Sequence, residues 1–151
     1  MFKTIISDTS CFIVLSKIGQ LSLLQQIFGD IVTTPEIAAE FGEKLPEWVE
    51  IISVTDEHKQ HLFELQVDKG EASAMALALE TKNALLIIDD YKARKLAKSL
   101  NIDYIGTIKI LILAKQKGII PEIKPLLEKI KITNFRISAD LELQALIQAK
   151  E

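Results

Sequence analysis

Cysteine is nearly absent from the sequence. A single residue, Cys11, cannot form an internal disulfide, which excludes a small secreted domain held together by disulfides. This usage is typical of a reducing compartment, and we expect a cytoplasmic protein. Cys11 also lies within an apolar segment, which predicts a small buried side chain and not a nucleophile.

Long apolar runs and an excess of positive charge are also missing. No apolar run is long enough to cross a bilayer, and the first residues lack the apolar core and cleavage site of a signal peptide. The chain has 18 Lys and Arg against 21 Asp and Glu, for a net charge of −3. We therefore expect no membrane partner and no binding of nucleic acid through bulk positive charge. Binding of nucleic acid through a local basic patch and metal ions is still compatible with this net charge.

Hydrophobic residues, by contrast, are plentiful. They make up 48% of the 151 residues, whereas aromatic residues make up only 6%. This composition predicts a well-filled core of Ile, Leu and Ala. The length is that of one domain, and without an obvious linker we expect residues 1–151 to form it.

The clearest single element is the run 84–88, five apolar residues that end at Asp89 and Asp90. A short apolar run without alternation predicts a strand buried on both faces, in the middle of a parallel sheet. The next segment, 91–100, has apolar residues at helical spacing and Lys or Arg elsewhere, which predicts an amphipathic helix. The two acids therefore lie at the carboxyl end of a strand, where α/β proteins bind ligands.

Strands and helices alternate along the rest of the chain. We predict further strands at 4–6, 31–33, 48–54 and 103–105. Helices are predicted at 11–18, 21–28, 36–41, 56–66, 71–79, 108–117, 121–131 and 138–149. This order predicts an α/β fold with a parallel sheet and helices on both of its faces.

Acidic residues recur at the predicted ends of these elements. Asp8 follows the first strand, Glu40 lies on the helix after the second, and Glu71 begins an Ala-rich helix. Each has an ordinary explanation: Asp8 as a helix cap, Glu71 as a first-turn acid, and Glu40 as a solvated side chain. Together with Asp89 and Asp90, however, they would repel one another at one edge unless a cation were bound. Carboxylate oxygens suit Mg²⁺ or Mn²⁺.

An ordered set of short motifs carries a family resemblance over nearly the whole chain. No single motif is specific, but together they resemble a PIN domain, in particular the VapC-like, toxin-type ribonucleases. The motifs are Asp8-Thr9-Ser10, Pro35 followed by Glu40, Gly70-Glu71-Ala72, Asp89-Asp90 followed by Arg94, and Gly106-Thr107.

The resemblance implies a three-layer α/β/α sandwich with a mainly parallel sheet, and a Mg²⁺- or Mn²⁺-dependent ribonuclease that hydrolyses RNA phosphodiester bonds. It also implies a homodimer and an antitoxin protein as partner. Matched by position, the catalytic residues are Asp8, Glu40, Glu71 and Asp90, and the metal ligands are Asp8, Glu71, Asp89 and Asp90. Thr9, Ser10, Arg94 and Thr107 are the candidates for substrate binding.

Two features depart from the family pattern. Ile88 stands two residues before Asp90, where Ser or Thr is commoner, and Glu71 stands where Asp is more usual. The sequence therefore leaves open whether Asp89 or Asp90 is the ligand. The hydroxyls of Thr9, Ser10 and Thr107 equally suit helix capping, and Arg94 is placed to pair with Asp90 four residues earlier.

Two other functions fit the same pattern. One is a catalytically silent PIN-like module that binds a partner, although acids at all four positions argue against it. The other is a metal-dependent phosphohydrolase, or a receiver-like protein, which would also carry acids at strand ends. The haloacid type of phosphohydrolase needs Asp-x-Asp after the first strand, and Ser10 stands in the second acidic position.

Overall fold

The computed structural model of the chain describes residues 4–151. Its sheet has five strands, and every pairing is parallel, as expected. The strands are β1 (Thr4–Ser7), β2 (Ile31–Thr33), β3 (Val49–Ile51), β4 (Ala84–Ile87) and β5 (Asp103–Ile105), in the spatial order β3-β2-β1-β4-β5.

Helices cover both faces of this sheet and complete the three-layer α/β/α sandwich that the sequence predicted. Within residues 4–151 there are nine: α1 (Thr9–Lys17), α2 (Leu23–Phe28), α3 (Pro35–Phe41), α4 (Glu57–Phe63), α5 (Lys69–Glu80), α6 (Tyr91–Ser99), α7 (Thr107–Gln116), α8 (Lys124–Lys131) and α9 (Ala139–Gln148). In the described part of the chain, no helix is long and apolar enough to span a membrane.

The middle of the sheet is β1, and not the 84–88 strand as expected. β4 lies beside it, in register from Thr4 opposite Ala84 to Ser7 opposite Ile87. An apolar run without alternation indicates only that a strand is covered on both faces, which holds for β1 and β4 alike. After β1 the chain adds β2 and β3 on one side of the sheet, and after β4 it adds β5 on the other side. The point where the strand order reverses therefore lies between the carboxyl ends of β1 and β4.

Several boundaries differ from the sequence-based prediction. The strand predicted at 48–54 is confined to Val49–Ile51. The Ala-rich helix begins at Lys69, two residues early, because Asp68 caps it and forms a reciprocal capping box with Glu71. Gly70 therefore lies in the first turn of α5.

Helix α5 is buried on nearly all sides, which fits its many small Ala side chains. Eight of its residues, from Gly70 to Ala78, are buried, and the helix packs on α3, α4 and β4. Cys11 is fully buried in the core, as expected, while His58 and His61 are exposed on α4.

Candidate active site

Asp8 lies at the carboxyl end of β1 and is the most buried acid of the site, with 2% of its surface exposed. It is the N-cap of α1, and its Oδ1 accepts a hydrogen bond from the Cys11 backbone N–H at 3.0 Å. Burial raises the pKa of Asp8 well above its usual range, and the nearby charges of Asp89 and Glu71 raise it further. Asp8 is therefore both a helix cap and a member of an acidic cluster.

Asp89 follows β4 and is bound on both of its oxygens by one residue. The Thr107 backbone N–H donates to Oδ1 at 2.9 Å, and the Thr107 hydroxyl donates to Oδ2 at 2.5 Å. Gly106, the N-cap of α7, has no side chain to cap the helix, so Asp89 supplies the missing acceptor from another strand. Burial raises the pKa of Asp89, while the Thr107 hydrogen bonds and Arg94 oppose the rise.

Arg94 is held in place by three neighbours. Its Nε donates to the Ile88 carbonyl at 2.9 Å, and its Nη2 lies 3.7 Å from Asp89 Oδ1. The guanidinium also lies over the Tyr104 ring, 5.5 Å from the ring centre. A methyl group on Gly106 would overlap Arg94 Nη2 and lie 2.8 Å from Asp89 Oδ1. Arg94 therefore pairs with Asp89, and not with Asp90 as its spacing suggested.

Asp90 and Glu71 form the more open side of the cluster. Asp90 is the exposed N-cap of α6, and its Oδ2 accepts from the Ala93 N–H at 3.0 Å. Glu71 accepts from the Asp68 N–H in the capping box of α5. Burial, followed by the charges of Asp68 and Asp90, raises the pKa of Glu71 to about 7. The charge of Glu71 thus acts on Asp8, and the charge of Asp90 acts on Glu71.

Glu40 reaches the same edge from α3. Although Glu40 as a whole is exposed, its carboxylate lies against Gly70 in the first turn of α5. Burial and the charge of Asp68 raise the pKa of Glu40, and a hydrogen bond from the Thr9 side chain lowers it. The carboxylate is therefore packed against the start of α5 rather than fully solvated.

The remaining substrate-binding candidates differ in access. Ser10 is exposed and lines a groove beside the cluster, whereas Thr107 is fully buried. The Thr107 hydroxyl donates its hydrogen bond to Asp89, so Thr107 can affect substrate binding only by positioning that carboxylate. Of the lysines predicted to form a basic face on α6, Lys92, Lys95 and Lys98 are all exposed.

The donor set suits a hard divalent cation in its chemistry. All of the candidate ligands are carboxylates. Burial raises the pKa of Asp8 and Glu71, neighbouring acids raise it further, and bound positive charge would relieve that repulsion. Across residues 4–151, however, no three side chains among His, Cys, Asp and Glu are arranged so that they could hold a metal ion. The ligand roles of these acids thus remain predictions.

Some residues that shape the site carry no chemical signal in the sequence. Gly70 and Gly106 admit Glu40 and Arg94 because they have no side chain. Two buried hydroxyls, Thr34 Oγ1 and Ser73 Oγ, lie 2.7 Å apart and join the start of α3 to α5. A glycine or hydroxyl beside a helix start is the only sequence signal for such contacts, and it is a weak one.

The fold and the cluster together define an α/β sandwich protein with an acidic site at the carboxyl edge of its sheet. A family model described as a PIN domain matches residues 4–151, and the chain belongs to this family. PIN domains are typically nucleases that act on nucleic acids and generally use divalent metals, so membership indicates a nuclease-type hydrolase. Comparison with curated proteins and with solved structures gives no match.

Proposed function

We propose that the protein is a Mg²⁺- or Mn²⁺-dependent endoribonuclease and that residues 1–151 form its single PIN-like domain. The observation that carries this proposal is the burial of Asp8 beside Asp89 and Glu71 at the switch point of the sheet. Grouping like charges in a buried place is costly unless the charges serve a ligand of opposite sign. For a PIN domain, that ligand is a divalent metal.

We assign the metal-binding role to Asp8, Glu71 and Asp90, with Glu40 beside them. Asp89 is the less available acid because Thr107 already donates to both of its oxygens. A divalent ion bound at such a site lowers the pKa of a water molecule and neutralises charge on the phosphate undergoing attack. In this assignment Asp89 fixes the start of α7 and the position of Arg94.

The chain's own residues then have distinct roles toward the substrate. The carboxylates of Glu40 and Glu71, held by the first turn of α5, orient water at the site. Arg94 is kept in a fixed orientation by the Ile88 carbonyl and Asp89, so its remaining N–H groups can bind a phosphate without losing side-chain entropy. Thr9 and Ser10 begin α1 directly after Asp8, and we assign them to binding the same phosphate.

A finer assignment rests on the family resemblance. We propose that the protein is the VapC-like toxin of a toxin–antitoxin pair. It would act in the cytoplasm as a homodimer and be inhibited by an antitoxin protein. Sedimentation of the purified chain tests the dimer. Growth arrest on induction, relieved by a co-expressed neighbouring gene product, tests the toxin role.

The deciding experiment compares the wild type with Asp8→Asn. Asn retains an oxygen that can accept from the Cys11 N–H, so the cap survives while the charge is lost. We expect Mn²⁺ to raise the Tm of the wild type much more than that of the variant, and cleavage of a mixed-sequence RNA to fall by orders of magnitude.

The outcomes separate the proposal from its alternatives. Equal Mn²⁺-induced shifts in Tm, or undiminished cleavage by the variant, would remove Asp8 from the metal site. Release of phosphate from a small monoester without RNA cleavage would favour a phosphohydrolase. RNA binding without cleavage in any divalent metal would favour a catalytically silent module.

A further inference from the structure

A groove adjoins the acidic cluster. It has a volume of about 820 Å³, and Asp89 and Asp90 are among the residues that line it. Its walls are α1, α7 and α9, together with residues 133–136, which connect α8 to α9. The C-terminal third of the chain, which contributes none of the acids, therefore builds much of a surface that is continuous with the candidate active site.

The groove is lined by apolar and aromatic side chains. Ile13 of α1 is half-buried in its wall, and Ile112 lies in the wall formed by α7. Three aromatic residues border the groove: Tyr91, 78% exposed beside Asp90, Tyr104 beneath Arg94, and Phe135 in the α8–α9 connection. Arg94 covers the Tyr104 ring and Phe135 packs partly against the core, so Tyr91 and the exposed part of Phe135 are the rings suited to stacking against unpaired bases.

The charge of the lining contrasts with that of the whole chain. Among residues 4–151, four basic side chains border the groove, Lys17, Arg94, Lys109 and Arg136, and the only acids in its lining are Asp89 and Asp90. The protein itself has a net charge of −3. An anionic ligand is therefore favoured along the groove and disfavoured over much of the remaining surface.

We propose that this groove is a subsite for unpaired nucleotides, which holds the strand on one side of the phosphate bound at the acidic cluster. Bases lie against Phe135 and the neighbouring aromatic rings, and phosphates meet Arg136 and Lys109. This deepens the proposed nuclease function and rests on it. The groove has the size of a ligand pocket, which gives room for a few nucleotides of single strand.

Binding is tested separately from cleavage, in EDTA, with fluorescently labelled single-stranded RNA of two to about eight nucleotides. Wild-type affinity is expected to increase with length as the strand fills the groove. Phe135→Ala is expected to lower the affinity for the longer RNAs about five-fold or more, the loss of one stacked base. Arg136→Gln is expected to reduce the slope of log Kd against log salt by about 0.7, the loss of one phosphate contact.

Two further variants make the result specific. Lys82→Gln removes an exposed charge just before β4, at the opposite edge of the sheet, and neither the affinity nor the salt slope should change. Tyr91→Ala truncates a residue that is exposed, so it tests stacking even if Phe135→Ala lowers the Tm. A blunt-ended duplex of the same sequence is expected to bind more weakly than the single strand.

Each outcome decides one hypothesis. If Phe135→Ala, Tyr91→Ala and Arg136→Gln all bind RNA like the wild type, the proposed subsite is wrong, and a protein segment becomes the better occupant of the groove. If the duplex binds as tightly as the single strand, the proposed preference for unpaired nucleotides is wrong. If the groove variants lose RNA binding but the wild type cleaves no RNA with Mn²⁺, the subsite is supported and the nuclease function fails. If the wild type cleaves RNA and the groove variants bind normally, only the subsite fails.

Discussion

The backbone of Gly70 lies directly against the carboxylate of Glu40. A methyl group at position 70 would overlap Glu40 Oε1 and lie 3.0 Å from Glu40 Cδ. Gly70 is in the first turn of α5, and Glu40 is near the end of α3, so the contact joins two helices that are 30 residues apart in sequence. A second glycine, Gly106, has the same relationship to Arg94.

Gly70→Ala is expected to separate stability from activity. Alanine is favoured over glycine in a helix by up to about 1 kcal/mol, and the overlapping atoms belong to the end of a flexible side chain. The free energy of unfolding should therefore stay the same or rise, while displacement of Glu40 lowers Mn²⁺-dependent RNA cleavage at least ten-fold. Urea titration and a cleavage assay measure the two effects, with Glu40→Gln as the comparison. Full cleavage by Gly70→Ala would show that the position of Glu40 does not matter.

Gly106→Ala is expected to act through Arg94. The added methyl group overlaps the Arg94 guanidinium and crowds Asp89 Oδ1, so Arg94 must leave its place between Asp89 and the Ile88 carbonyl. We expect a loss of stability of about 1 kcal/mol and weaker binding of RNA. Because both changes remove the same contact, Gly106→Ala combined with Arg94→Ala should be no worse than the more severe single variant. Strict additivity in this double-mutant cycle would contradict the contact.

Asp89→Asn and Asp90→Asn form a matched pair that decides between the two adjacent acids. Asn at position 90 can still cap α6, so its effect on the free energy of unfolding should be within about 0.5 kcal/mol, while cleavage falls at least ten-fold. Asn at position 89 cannot accept both Thr107 hydrogen bonds and loses the Arg94 ion pair, which should cost about 1–3 kcal/mol. Wild-type cleavage by Asp90→Asn would transfer the metal-binding role to Asp89.

The metal-free protein is expected to lose stability as the pH rises from about 4.5 to about 7. The pKa of Glu71 is about 7 in the folded protein against an ordinary value of 4.5, so the folded chain retains a proton that the unfolded chain has released. The stabilising effect of this proton is fully present below about 4.5 and is lost by about 7. Buried Asp8, with its raised pKa, acts in the same direction.

Glu71→Gln isolates the contribution of Glu71 to this pH dependence. Gln can still complete the capping box with Asp68 but does not titrate, so the stability of the variant should fall less steeply between pH 5 and 7. Chemical unfolding at several pH values in EDTA gives both slopes. Excess Mn²⁺ should flatten the wild-type curve because a bound cation favours the ionised carboxylates. Identical slopes for the two proteins in EDTA would show that Glu71 titrates near its ordinary pKa.

Much of the fold was predictable because its signals are local. The apolar run 84–88, the helical spacing after it and the repeated alternation of strand and helix depend only on neighbouring residues. They were enough to predict a parallel sheet with Asp8, Asp89 and Asp90 at one edge. The start of α5 at Lys69 was missed although its signal is local as well, because Asp68 with Glu71 three residues later has the spacing of a capping box.

The sequence by itself thus determined the fold class, the family and the set of acids that meet at the edge of the sheet. Only the tertiary structure decided what each acid contacts: Asp89 with Thr107 and Arg94, Glu71 with Asp68, and Glu40 with Gly70. It also placed residues 133–136 beside the site. The physical reason is that these contacts join residues that are far apart in the chain, and no periodicity or spacing records which side chains meet across a packed sheet.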